Sequence, residues 1–181
     1  YMLKGRTEAD AGRPELAHQM FRDAVVADPN SSAAAEWLGR SFYDEGRLKE
    51  ALAALDDAIR LDPREDLKRF AGKVRREQNG ESNFFEQRSQ HFRIFYSPDI
   101  NIGGINAASQ MLERIWQDHR VFLGDAPKRD IVAVFYSTKD KFTGTHELTS
   151  NIAGIYDGKV RMPIPDRPNW ETIRRIMSHE A

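Results

Sequence analysis

The chain has no cysteine, so it can hold no disulfide framework, no thiolate metal site and no cysteine nucleophile. Any metal would have to be bound through His, Asp or Glu. It also lacks a long apolar run: the longest, Ile131 to Tyr136, falls far short of the ~18 residues that suggest a membrane span, so no bilayer crossing is expected. A surplus of one charge is missing too. Lys and Arg number 27 against 28 Asp and Glu, a formal net charge of -1, which argues against a surface built to hold a polyanion such as nucleic acid. What is present is ordinary globular composition, 40% apolar and 30% charged over 181 residues, enough for one or two domains at the ~150 residues typical of each. The sequence starts at Tyr1 rather than Met and stops at Ala181 inside a helical pattern, so it is read as a fragment; a signal peptide ahead of Tyr1 would place the protein in the cell envelope or outside the cell.

An internal repeat organises the first part. Gly5, Gly12, Ala17, Phe21, Ala24, Asp28 and Pro29 recur as Gly39, Gly46, Ala51, Leu55, Ala58, Asp62 and Pro63, each shifted by 34. The spacing has a mechanical reading: Gly39 lets two helices approach, Gly46 sits at the turn between them, Ala51 and Ala58 permit a close crossing, and Pro63 stops the second helix. Leu38 with Gly39, then Phe42, Gly46, Ala51, Leu55, Ala58 and Pro63 resemble the tetratricopeptide repeat, which implies a helical hairpin over residues 32–63 and a protein partner. Glu36, Arg40 and Tyr43 fall on a stripe away from Leu38 and Phe42 and are the expected lining of a partner-binding concavity. A capping helix is expected from Glu65 to about Gln78, its basic residues forming a solvated outer face.

The stretch from Asn79 to Asn83 breaks both period and hydrophobicity, which divides the chain into residues 1–79 and 84–181. The second part changes class. A strand is expected at Phe92, Ile94 and Tyr96, then a helix carrying Ile105, Ala108, Met111, Leu112, Ile115, Phe122 and Leu123 and closed by Gly124. Ile131 to Tyr136 reads as a buried strand, and Ser137 with Asp140 has capping-box spacing for a short helix around Phe142. Ile155 to Val160 reads as a hairpin whose Asp157 and Gly158 suit a type I′ turn, with Lys159 and Arg161 at exposed positions. A last helix starts near Asn169, with Trp170, Ile173, Ile176 and Met177 as its buried stripe. The overall class is therefore α+β.

Chemistry enters on that last helix. His179 and Glu180 lie one turn beyond Ile176 and Met177, the layout that opens a zinc-hydrolase helix of the His-Glu-x-x-His type, and uncharged Ile176, Met177, Ser178 and Ala181 flank the pair. A second pair, His146 and Glu147, has Ser150 four residues after the His and is not a metal motif. His119 is read as a boundary histidine, His18 and His91 as surface residues, Trp37 and Trp116 as packing groups. From Phe92 to Ala181 the order of elements, and above all Gly154 to Pro163 followed by the His-Glu helix, resembles the peptidase MA-like domain of gluzincin zinc peptidases, an arrangement familiar in bacterial proteins that join it to tetratricopeptide repeats. The resemblance implies an incomplete zincin domain in which His179 is a zinc ligand and Glu180 the general base of peptide hydrolysis, with the second histidine and an acidic third ligand beyond Ala181. It also implies a peptide or protein substrate, with Lys159, Val160 and Arg161 on the substrate side, since an extended edge beside a metal helix can pair with a peptide backbone. Without those ligands the 181-residue chain should itself be inactive. The competing expectation is a non-catalytic repeat adaptor whose C-terminal domain is a packing module.

Overall fold

The computed structural model of the protein describes residues 1–123, 130–148 and 152–180, the side chains of Phe122, Leu123, His179 and Glu180 excepted. The chain forms two compact units, Tyr1–Asn79 and Gly80–Ala181.

The first unit is built from helices α1 (Met2–Asp10), α2 (Pro14–Ala27), α3 (Ser32–Asp44), α4 (Leu48–Leu61) and most of α5 (Glu65–Glu81), which runs three residues past the expected end at Gln78 and whose Gly80 and Glu81 belong to the second unit. The period of 34 is visible in the backbone. Gly12 and Gly46 take φ of 69° and 74°, a left-handed conformation that favours glycine. Each closes its helix in the same way: Gly46 N–H donates to the Tyr43 carbonyl and Arg47 N–H to Phe42, while Gly12 and Arg13 repeat this on Ala9 and Glu8. These paired bonds are a Schellman motif, which satisfies carbonyls that a helix end would otherwise leave open. At the other end, Ser31 caps α3 by accepting from Ala34 N–H.

Close approach is the second device. A Cβ at Gly39 would stand 2.8 Å from Leu55 Cγ and 3.2 Å from the Ala51 carbonyl, and Gly5 meets Phe21 in the same register. Leu55, Ala51 and Ala58 are fully buried with Tyr43, Leu67, Ala71 and Val74 in one core.

The second unit is a five-stranded sheet of order β1-β2-β3-β5-β4, made of β1 (Phe85–Arg88), β2 (Phe92–Tyr96), β3 (Ile131–Tyr136), β4 (Ile155–Tyr156) and β5 (Lys159–Pro163). β2, β3 and β5 are parallel, while β1 and β4 run antiparallel at the edges. The remaining helices are α6 (Ile102–Leu123), α7 (Lys139–His146) and α8 (Trp170–Glu180). Alternation along the strands sorts the two faces. Ile94, Ala133, Phe135, Val160 and Met162 bury against Ile105, Leu112 and Ile115 of α6 and Ile173 and Met177 of α8. Val132, Val134 and Tyr136 face the other way, onto Phe142 of α7.

Three local expectations change. β1 was not foreseen, because Glu86, Gln87 and Arg88 give it no apolar alternation. The cap of α7 is Thr138, which accepts from Lys141 N–H; Ser137 is buried and turned to Ser97 and Asp99 instead. The β4–β5 loop is not type I′: only Gly158 has a positive φ, and Tyr156 pairs with Val160, leaving a three-residue connection. The expected closure of α6 by Gly124 lies outside the described residues.

Glycine substitutions separate close approach from mere helix position. Gly39→Val should destabilise the protein by about 1–3 kcal/mol, the usual cost of overpacking. Gly72 in α5 has only Arg76 Nη1 within reach, at 3.8 Å, so Gly72→Ala should stabilise by about 0.5–1 kcal/mol. Urea unfolding of both variants checks the opposite signs.

Candidate functional site

The residues singled out in the repeat segment are largely engaged within it. Tyr43 is buried; its hydroxyl donates to Glu77 at 3.1 Å and its ring meets Phe70 edge-on. It therefore cannot line an open concavity, because α5 covers it. Glu36 is held by Arg40 at 3.0 Å and by Arg64, and the Arg40 guanidinium lies 4.4 Å from the centre of the Phe70 ring. Sequence periodicity placed these residues on one stripe correctly but could not show that α5 packs there.

His18 also departs from its expected surface role. It sits between α2 and α3, with Nδ1 2.8 Å from Ser41 Oγ and the ring against Phe42. Burial lowers its pKa; Glu45, 3.4 Å away, pulls upward, while Arg47 and Arg22 add to the lowering. His91 is likewise half-buried. Its ring stacks on Trp116 at 3.5 Å and its Nδ1 is 2.6 Å from Glu113, which also accepts from Ser89. Burial pushes the Glu113 carboxyl up, but the hydrogen bonds from Ser89 and His91 outweigh it and leave it below the ordinary range.

On the hairpin, Lys159 and Arg161 are buried rather than exposed, at 2% and 0%. The reason is topological: β5 is paired on both sides, with β3 and β4, and both of its faces are covered. At Val160 and Arg161 β5 thus has no free edge to offer a peptide, and its residues divide, Val160 toward α6 and α8, Lys159 and Arg161 toward the opposite face. The open edge of the hairpin is β4, where Tyr156 is exposed.

Arg161 is the centre of a buried polar group that sequence reading missed. Its Nη1 donates to Glu81 at 2.8 Å and its Nε to Asp157 at 3.2 Å. The Tyr136 hydroxyl donates to Glu81 and lies 2.8 Å from His146 Nε2. The partners stand 80 and 25 positions from Arg161, and no local pattern could announce them. His146 thereby belongs to this group.

His179 and Glu180 close α8, three positions after Ile176 and Met177 respectively; their side chains lie outside the described residues. Asn169 starts the helix by accepting from Thr172 N–H at 3.1 Å, and Ile173 and Met177 anchor it in the core. Among the described residues, no three His, Cys, Asp or Glu side chains come together as a metal-binding group. No helix among them is long and apolar enough to cross a membrane.

Two helical hairpins related by a 34-residue shift define an α-helical repeat. Residues 2–66 match the family model of the tetratricopeptide repeat, and this part of the chain is a tetratricopeptide repeat segment, a fold that supports protein–protein interaction. Among curated proteins, none matches the chain.

The folded state keeps His18 neutral more strongly than the unfolded chain does. As pH falls through the unfolded value of about 6.5, the unfolded state takes up its proton first, so stability should decline toward the lower folded pKa. His18→Gln should flatten that decline in urea titrations run on both sides of about pH 6.5. Arg161→Ala should cost about 3–5 kcal/mol, because it removes a buried cation from Glu81 and Asp157; loss of the near-ultraviolet signal of the second unit at lower denaturant is the readout.

Proposed function

We propose that the intact protein is a zinc-dependent peptidase of the gluzincin type that recruits a protein partner or substrate through its tetratricopeptide segment. The recruiting role rests on the repeat over residues 2–66. The observation that carries the peptidase reading is the setting of α8. This helix runs through His179 to Glu180, and Ile173 and Met177 seat it on the same sheet face as Val160 and Met162 of a hairpin whose outer strand is open. A metal helix needs such an anchored scaffold to hold its ligands at fixed geometry.

In this reading His179 is one zinc ligand and Glu180 the general base, accepting a proton from the attacking water and returning it to the leaving amine. Bound zinc would supply a Lewis acid and an acidified water. One imidazole is not the three-ligand set of a catalytic zinc, so the residues present do not fit a resident metal by themselves. The second histidine of the motif would stand four residues after His179, two beyond Ala181. The open edge of β4, rather than Lys159 to Arg161, is the place for an extended substrate to pair.

The test separates ligand from base. The 181-residue chain should lose zinc on dialysis. In the intact protein, Glu180→Gln should keep fold and zinc while lowering peptide hydrolysis by several orders of magnitude, since an amide cannot accept the proton. His179→Ala should lose metal and activity together. An intact protein without hydrolytic activity, or with activity indifferent to Glu180→Gln, would overturn the peptidase reading and leave a repeat adaptor.

A further inference from the structure

Between α6 and α8 lies a cleft of about 450 Å³. Met111 and Ile115 of α6 and Trp170 of α8 are its apolar lining, Ile115 buried and the other two half-buried. Its two walls carry Arg114 and Arg174, both exposed, and Asp118 one turn beyond Arg114. Among the described residues, neither guanidinium has an ion-pair partner. Arg47, Arg64, Arg93 and Arg161, by contrast, each hold a carboxylate.

We infer that this cleft is a docking groove for an acidic amphipathic helix of a protein partner. Two helices set side by side form the groove into which a third lays an apolar face, and the apolar floor would take large side chains one turn apart. The cations on opposite walls then meet carboxylates flanking that apolar stripe, which gives the occupant its sign and its orientation. Asp118 is the opposing charge. It disfavours a uniformly acidic ligand at that end and places the preferred carboxylates on the Arg114 and Arg174 side.

Met111, Arg114, Ile115, Asp118, Trp170 and Arg174 of the groove have no role in the proposed chemistry, so the inference stands or falls independently of the peptidase reading. Its test is calorimetric titration of the 181-residue chain with a short amphipathic peptide bearing leucine and phenylalanine one turn apart among glutamates, beside a counterpart with lysine for every glutamate. The acidic peptide should bind and the basic one should not. Arg114→Glu with Arg174→Glu, both at exposed sites and checked by circular dichroism for an intact fold, should weaken binding about tenfold. Asp118→Asn should tighten it about twofold. Absence of binding, or binding indifferent to the double reversal, overturns the inference. So does adsorption to anionic phosphatidylserine vesicles in place of the peptide, which would make the arginines a lipid contact.

Discussion

β5 is covered on both faces, paired along its length by β3 and at Val160 and Arg161 by β4, and most of the second unit follows from that confinement. A strand so placed must satisfy two environments with alternate residues. Val160 and Met162 answer the apolar one, joining α6 and α8. Lys159 and Arg161 answer the other, and a guanidinium there is tolerable only because Glu81 and Asp157 bring it carboxylates and Tyr136 a hydroxyl. Replacing such a group with apolar residues of equal volume often costs nothing, whereas removing one partner alone is costly. Asp157 stands in the β4–β5 connection and Glu81 near the start of the second unit, so one buried cation draws on carboxylates 4 and 80 residues away in sequence.

The repeat segment is organised by sterics instead. Gly5 and Gly39 let Phe21 and Leu55 reach the facing helix, and Gly12 and Gly46 reverse the chain between helices. Charges contribute little to that architecture. Arg60 with Asp57 and Arg75 with Asp56 are exposed pairs, worth roughly 0–1 kcal/mol each. The exceptions lie where α5 covers α3: Tyr43, Phe70 and Glu77 make a half-polar seam, with Arg40 stacked over the ring. Partner binding in this segment must use what that seam leaves exposed.

The sequence carried α3 and α4 plainly because their signals are local: a glycine at a left-handed turn, small residues at a crossing, a proline after the end; α1 was less legible, since Lys4 and Glu8 stand where the repeat has large residues. It carried β2, β3, α6 and α8 for the same reason, each having a long run with one period. β1 was hidden, since an edge strand with Glu86, Gln87 and Arg88 buries too little to show alternation. Arg161 was misjudged because lysine and arginine at alternate strand positions are the ordinary mark of a solvated face, and the fact that reverses it, a carboxylate 80 residues away, is tertiary. Of the candidate chemical pair, sequence and helix register agree on position, with His179 and Glu180 on the last turn of α8.

That register is itself a packing result. Ile173 and Met177, four residues apart and both buried, set the rotation of α8 about its axis. With the rotation set, Arg174 is turned to the α6 cleft, and positions 176 and 180 follow on a common stripe four residues apart. Repacking at Met177 would therefore move the helix as a whole. The cleft with Arg174 and the end of the helix would shift together, although the proposed chemistry gives no role to Met111, Ile115, Trp170 or Arg174. Sheet packing, rather than either function, is the common constraint on both.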